Sequence, residues 1–486
     1  MYIKVLIKLR FIIPFVVMTL NSFCQNSNMT KPVLIKSLNK DSLQHEFKTL
    51  YNLINTIHPG ENMFISKKDF DNCYDSLLNS INDDLSILEY FKKTSYLLAK
   101  IKDGHTATDK SKISELIQNE LTFPFSIYKI KNKYYISKTT TAYKHLIGSE
   151  LISINGDSLN KIFNTIKNHI HIEGLNETGF NSKLKNFPFY YFLYNQSFSF
   201  NIEYSDSKQK SIKKTAIKGI KYSEFSKILK EQTEPLSFKI IKNDIAILKL
   251  HSFENGYIEK DRILAEKQIS TFFNKIDSSK IPNLIIDLRG NSGGAPEISN
   301  FVFSYLINKP YYYFDYIGVK YNTVNNWKYL AQYPNNIEEI NMNDTKPINN
   351  LNCYLETDSL DYWWFEKQQN KSNYYKGKIS VLLNGECFST TGHFLSLLRN
   401  YNIGKFYGEY SQGSDYSNSG LQAFILAYSK TMVWIPFLQF KMKTPNFIYD
   451  SKGIKPDVEL EINPIDLKTN NDSQINWIIN QINKSN

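Results

Sequence analysis

Apolar positions along the chain change their period twice. From about residue 40 to 101 they recur at helical spacing. In LQHEFKTLYNLINTIHP, residues Phe47, Leu50, Leu53, Ile54 and Ile57 fall on one stripe that ends at Pro59. SILEYFKKTSYLLAKI repeats the pattern with Leu88, Phe91, Leu97, Leu98 and Ile101. That helix is expected to stop at the turn dipeptide Asp103-Gly104, with His105 and Thr106 directly after it. From about 121 to 220 the period shortens to two. PFSIYKIKNKYYIS predicts a hairpin turning at Lys131, Asn132 and Lys133. HLIGSELISINGDSLNKIFNTI predicts a strand, an Asn155-Gly156 turn and a helix, and FSFNIEYSDSKQKSIKKTAI predicts two more strands. From about 238 short apolar runs alternate with helical ones: DIAILKL, then ILAEKQISTFFNKI, PNLIIDL, PEISNFVFSYLI, GKISVLLNG and TTGHFLSLLRNY, with KFYGEY and TMVWIPF as further strands. Strand–helix alternation predicts a layered α/β domain with a largely parallel sheet. An aromatic, Asn-rich insertion at 308–376 interrupts it. Helical, β-rich and α/β segments in this order make a multidomain α+β chain.

Composition changes this picture little. The 486 residues are 42% hydrophobic and 22% charged, enough for two or three domains with a sizeable core. The net charge of +11 comes almost wholly from dispersed lysines. No dense basic run and no nucleic-acid motif accompany it, so a basic surface without a nucleic-acid partner is expected. The N-terminus is more telling. Lys4, Lys8 and Arg10 precede an apolar run from Phe11 to Leu20, and Ser22 and Cys24 are spaced as small residues around a cleavage point. This pattern is expected to be a secretory signal peptide over 1–24. A lipid anchor on Cys24 is the rival, with bulky Phe23 against it. Of the four cysteines, Cys73, Cys353 and Cys387 remain after cleavage, with no zinc spacing and no disulfide framework among them.

Candidate chemistry gathers at three places. NLIIDLRGNSGGAPE, Asn283 to Glu297, reads as a buried strand, a glycine turn and a helix start. It lacks the Lys-Ser/Thr of a P-loop and the GxGxxG of a dinucleotide fold. A plain tight turn remains open. An oxyanion cradle fits better, because Gly293 and Gly294 free the backbone to aim N–H groups at one point near a helix N-terminus. SVLLNGECFSTTGHFLSLL puts Ser389 after a strand and an Asn-Gly turn, at a helix start beside the Thr390 N–H. Ser389 is either a nucleophile or only a helix cap. Cys387 reads as a small core residue. No G-x-S-x-G elbow is present, which disfavours an α/β-hydrolase. A serine needs a base. Of eight histidines, His393 lies one turn after Ser389 on the same face, and His105 follows the Asp-Gly turn in KIKDGHTAT.

Taken together these segments resemble the C-terminal-processing and tricorn-type serine peptidases. LIIDLRGNSGG is similar to the family's strand-to-glycine-turn motif, and LLNGECFSTTGHFLSLL to its nucleophile segment, with Ser389 at the serine position. LLAKIKDGHTAT resembles the His motif of the tricorn-like branch. IGSELISINGDSL resembles the family's PDZ-like module, and SKGIKPDVEL its terminal Gly-x-Pro-Asp motif. The five occur in family order from about 45 to 460. The processing branch uses a Ser–Lys dyad, but Ser414 in GEYSQGSDY stands where that Lys would be. The resemblance therefore implies the His-based branch.

The resemblance implies these units: a signal peptide over 1–24; an N-terminal helical domain with the DGHT motif over 32–117; and a PDZ-like β-rich module over 118–235. A crotonase- or Clp-protease-like α/β catalytic domain over 236–465 and a C-terminal helix or tail over 466–486 would follow. It implies Ser389 as nucleophile and His105 as general base. Asp450, in IYDSKGIKPD where a Glu is commoner, would be the acid, with Glu409 and Asp457 as rivals. Gly293, Gly294 and Thr390 would form the oxyanion hole. Substrates would be peptides or polypeptides in the periplasm or cell envelope, and neither metal nor cofactor is implied. The active site should form in a cleft between the helical and α/β domains. The PDZ-like module is either a peptide-binding module or a spacer. The insertion's YYYFDY, NNWKYL and DYWWFE are either a cleft wall or a packed cap. The reading from another class is a peptidase-like peptide-binding protein that has lost catalysis.

Overall fold

The computed structural model describes residues 37–485, apart from 207–210, 231–233, 243, 321–329, 333–344, 355–362, 421 and 470. The signal-peptide expectation, Cys24 and NNWKYL's first five residues lie outside that range. Helix α1 (Lys40–Ile57) buries the expected stripe, with Leu43 and Phe47 fully enclosed. Helix α2 (Lys67–Asn79) packs beside α3 (Ile87–Ile101). Helix α3 opens on a capping box: the Ser86 hydroxyl accepts from Glu89 N, and the Glu89 carboxylate accepts from Ser86 N. It closes at Lys102, whose left-handed φ of 57° turns the chain away just before Asp103. Strand β1 (Ala107–Thr108) follows at once.

The next unit is an antiparallel sheet. Strands β2 (Phe125–Ile130) and β3 (Lys133–Thr139) form the hairpin expected at 131–133. Strand β4 (Glu150–Ile154), helix α4 (Leu159–Ile166), and strands β5 (Ser199–Ser205) and β6 (Ile212–Lys218) complete it, in the order β6-β5-β4-β3-β2. Its core also takes in Ile87, Leu88 and Phe91 from α3, so the helical and β-rich units share packing.

The α/β unit is built on β7 (Leu236–Ile241), β8 (Ile245–Leu250), β9 (Asn283–Asp287), β10 (Lys378–Leu383), β11 (Lys405–Gly408) and β12 (Val458–Glu459), neighbours in that order. All pairs are parallel except β7 with β8. Side chains alternate between two buried faces, as a strand's period of two requires. Leu248, Leu284, Ile286, Val381 and Leu383 face α6 (Glu259–Ser278), α7 (Pro296–Ser304) and α8 (Thr390–Asn400). Ile245, Ile247, Ile285 and Leu382 face α9 (Ser473–Ser485), whose Ile478 is 1% exposed. The described parts of the insertion pack onto the α/β core. Its strand Phe314–Val319 pairs with Leu438–Met442, and Tyr311, Tyr313, Phe314, Trp364 and Phe365 join the α/β core. Among the described residues no helix is long and apolar enough to cross a membrane.

Two contacts tie the first unit to the last. Strand β1 pairs antiparallel with Met432–Ile435, Val433 opposite Thr108 and Trp434 opposite Ala107. Phe424, Leu426, Val433 and Ile435 lie in the same buried cluster as α1 and α3. The helical unit is thus completed by a strand whose Val433 lies 325 positions beyond its partner Thr108. Because α9 is the cover of the second sheet face, Ile478→Ala is expected to lower stability by about 2–5 kcal/mol, read by urea unfolding.

Candidate active site

Ser389 sits between β10 and α8, and its backbone is unusual: φ is 54° and ψ is −128°. A side-chain-bearing residue reaches that region only when its surroundings impose it, at a cost of about 1–3 kcal/mol. Ser389 occupies the N-cap position, yet its hydroxyl makes no capping bond; only its carbonyl accepts, from Gly392 N and His393 N. The helix-cap alternative therefore does not describe this residue. The strained turn points the Oγ out of the helix, as a strand-to-helix elbow does, although the G-x-S-x-G signature is absent.

The glycine turn explains how the strain is held. Asn291 is fully buried. Its Nδ2 donates to Leu250 O at 3.1 Å, its Oδ1 accepts from Gly293 N at 2.9 Å, and its carbonyl accepts from Phe388 N at 3.2 Å. The Asn384 Oδ1 accepts from both Gly290 N and Glu386 N. The Thr390 hydroxyl donates to Gly294 O at 2.5 Å. The two loops are thus sewn together. Gly293 has φ of 109°, and a Cβ there would lie 2.8 Å from Ser389 Cβ and 3.1 Å from Thr390 N. The neighbouring Arg289 serves the frame: it makes paired bonds to Asp287 and to Asp472, and donates to Gln474 at 2.7 Å, fastening the turn to the start of α9.

His105 arrives from the other side. Its Nε2 lies 3.2 Å from Ser389 Oγ, across 284 positions of sequence. The Phe388 ring packs tilted against the imidazole, centroids 4.4 Å apart, and a side chain at Gly104 would collide with that ring at 2.4 Å. The turn before His105 is held by Asp103, whose Oδ1 accepts from His105 N at 2.8 Å and from the Thr106 hydroxyl at 3.1 Å. Burial lowers His105 to about 3, with the Lys183 charge adding to the effect, so the imidazole is neutral at neutral pH and able to accept a proton.

The other sequence expectations divide. The N–H groups of Gly294 and Thr390 have no hydrogen-bond acceptor among the described residues and are available to an oxyanion. The Gly293 N–H is not: Asn291 holds it, so Gly293 acts by letting the turn approach Ser389. Asp450 is a correction. It is exposed, its Oδ1 accepts from Lys452 N in its own loop at 2.9 Å, and it makes no bond to His105. One methylene shorter than Glu, it closes a local turn instead. Its rivals are engaged elsewhere: Glu409 with the Tyr128 hydroxyl at 3.4 Å, Asp457 with Arg399 at 2.8 Å. The His393 Nε2 bonds the Ser417 hydroxyl at 2.9 Å in the core and does not face Ser389. The Cys387 thiol is buried, donates to Leu288 O, and burial raises its pKa, as a core cysteine requires. Ser414, at the position of the absent Lys, is buried with its hydroxyl turned to Tyr416 O.

One residue escaped the sequence reading. Glu173, in a loop between α4 and the strand β5, is 1% exposed. Its Oε2 accepts from Gly104 N at 2.9 Å and its Oε1 from the Tyr416 hydroxyl at 3.2 Å. It converges with Asp103 and His105 so that one ligand-type atom of each lies within 4.8 Å of the others. Their carboxylate oxygens already take N–H and O–H donors, whose protons would face a bound cation; the set suits a proton better than a metal. Its local sequence, IEGLNETG, carries neither period nor motif.

The profile of peptidase family S41 matches residues 244–460. No curated protein sequence matches the chain. Among solved structures, mature CPAF is similar with a TM-score of 0.61 at 11% identity, over 88% of this chain and 94% of CPAF. CPAF complexed with lactacystin gives 0.61 at 12% identity, over 88% and 95%. The photosystem II D1 C-terminal processing protease is similar over 86% of this chain and 93% of its own, at 13% identity and a TM-score of 0.40. At such identities the CPAF likeness speaks to the fold.

Gly293→Ala would drive a methyl group into Ser389 and Thr390. It is expected to slow modification of Ser389 by a fluorophosphonate about 100-fold, since displacements near 1 Å at a reacting centre have that effect; timed labelling measures it.

Proposed function

We propose, from a chain whose residues 244–460 belong to peptidase family S41, that this protein is an exported serine endopeptidase cleaving through an acyl-enzyme on Ser389, with His105 as general base. The family makes it a serine-type peptidase. The single observation that carries the mechanism is the 3.2 Å approach of His105 Nε2 to Ser389 Oγ. The strained Ser389 backbone supports the same reading, because strain of that kind gathers where a side chain must be aimed.

In this reading Ser389 Oγ attacks the scissile carbonyl while His105 Nε2 takes its proton. The carbonyl oxygen becomes an oxyanion in reach of the Thr390 and Gly294 N–H groups, each worth about 3–4 kcal/mol in the transition state. The C–N bond breaks as His105 returns the proton to the departing amine, leaving the acyl group on Ser389. Water then repeats the cycle in reverse and releases the acid. The positive helix N-terminus of α8 lies behind the oxyanion and adds to its stabilisation. Substrates are peptides or polypeptides entering between the helical and α/β units. The N-terminal pattern over 1–24 supports export. Peptide capture by the antiparallel β-rich module, through strand addition at its edge, belongs to the same reading.

A fluorophosphonate probe tests it. Wild type should be labelled on Ser389, Ser389→Ala should not be labelled, and His105→Ala should react about 10³-fold or more slowly. Lactacystin, carried by the solved CPAF complex, is a second ligand to try. An unlabelled wild type that still binds peptides would replace this reading with the catalytically inactive binding protein.

A further inference from the structure

His105 has a base's position but lacks the acid its family position assigned. Its Nδ1 is buried without a hydrogen-bond partner. A buried ring nitrogen left unsatisfied costs about 1–3 kcal/mol, and a base whose second nitrogen is unpaired gains no help when it takes a proton. Asp450 stands exposed in its own turn. Two carboxylates, of Asp103 and Glu173, form with His105 a cluster in which one atom of each lies within 4.8 Å of the others. Asp103 is already bonded on both oxygens, its Oδ1 twice, from His105 N and the Thr106 hydroxyl. Its Oδ2 accepts from Asn418 Nδ2 at 2.6 Å and lies 3.8 Å from His58 Nε2. An acid that folds back onto the main chain of the residue two positions on is a turn former. Glu173 comes from another unit, has the longer side chain, and accepts one donor on each oxygen, which leaves lone pairs on both.

We propose that Glu173 is the positioning acid of this active site, taking the His105 Nδ1 proton as a hydrogen-bond partner in place of Asp450. The inference rests on the serine peptidase reading above. Three contacts hold Glu173 there: its Oε2 to Gly104 N, its Oε1 to Tyr416, and its N–H to Gln412 Oε1 at 3.2 Å. The loop that carries it is fixed on both sides, by Gly174 N to Lys102 O at 2.8 Å and Leu175 N to Ser451 O at 2.7 Å. In the proposed arrangement the unpartnered Nδ1–H donates to the Glu173 carboxylate. When Nε2 then takes the Ser389 proton, the imidazolium gains a neighbouring negative charge; when Nε2 passes that proton to the amine, Glu173 keeps its charge throughout.

Burial and the Asp103 charge hold Glu173 well above the ordinary carboxylate range, while burial holds His105 low. The two therefore titrate as a pair, active in the form that has neutral His105 beside ionised Glu173. The charged or titratable groups facing His105 are Asp103, Glu173, Lys183, His58, His171 and His393. Of these, only the two acids raise its basicity.

The test uses the full chain. Fluorophosphonate labelling rates of wild type, Glu173→Gln, Glu173→Asp and Asp450→Asn are measured from pH 5 to 9. In parallel, the His105 ring is titrated by NMR in Ser389→Ala protein with and without Glu173→Gln. We expect Glu173→Gln to lower the plateau rate about 10²–10⁴-fold and to move the acid limb to lower pH, with the His105 titration moving the same way. Glu173→Asp should recover part of the rate, and Asp450→Asn should match wild type. A wild-type rate in Glu173→Gln overturns the proposal. So does a lower plateau with an unmoved limb and an unmoved His105 titration, which would mean a merely structural acid, and so does a large loss in Asp450→Asn. Were wild type itself unlabelled, the peptidase reading would fail, while the NMR arm would still decide the Glu173–His105 pairing.

Discussion

A two-residue strand is the constraint on which this molecule depends. Ala107–Thr108 pairs with Val433–Trp434, and the Asp109 N–H donates to Met432 O at 2.8 Å. That short ladder fixes the backbone directly after His105 to the α/β unit. Without it the imidazole would belong to a different body from the serine it faces. The indole Nε1 of Trp434 donates to the Asp109 carboxylate at 3.0 Å, and the buried cluster of α1, α3, Phe424 and Val433 lies behind the pairing. A bond across 284 residues is bought by local antiparallel pairing and a common apolar core, not by flexible docking.

The second half of the site depends on a close approach of two loops. Asn291 is the common partner: it reaches Leu250 of one strand, Gly293 of its own turn and Phe388 of the loop that carries Ser389. A buried amide bonded through both its nitrogen and its oxygen is stiff, and that stiffness helps keep Ser389 in a backbone region that a side chain avoids. Two features usually discussed apart, the glycine turn and the strained serine, are one object here.

Much of this was legible in the chain, and the reasons differ by element. Period-two and period-3.6 runs report burial of one face, so α1, α3 and the alternating strands of the α/β unit could be read from Phe47, Leu98 or Ile286 alone. His105 and Ser389 were legible because each sits in a local punctuation, a helix stop or a strand-to-helix turn. Asp450 was misplaced because its motif fixes a position along the chain and not the direction of a side chain; a turn at Ser451, with φ of 69°, directs it to solvent. Glu173 was invisible because its loop has no period, and its partners Gly104 and Tyr416 lie 69 and 243 positions away. The aromatic run YYYFDY had two readings until the pairing of Phe314–Val319 put Tyr313 and Phe314 inside the core.

The grip of Arg289 on Asp472 and Gln474 has a consequence in time rather than in space. The guanidinium sits one residue before the glycine turn, and its outer partners are made 183 and 185 residues later. Until Asp472, Gln474 and Ile478 have docked, the turn beside Ser389 lacks its brace and the second sheet face stays bare. The frame around Ser389 is therefore complete only once the last helix is in place.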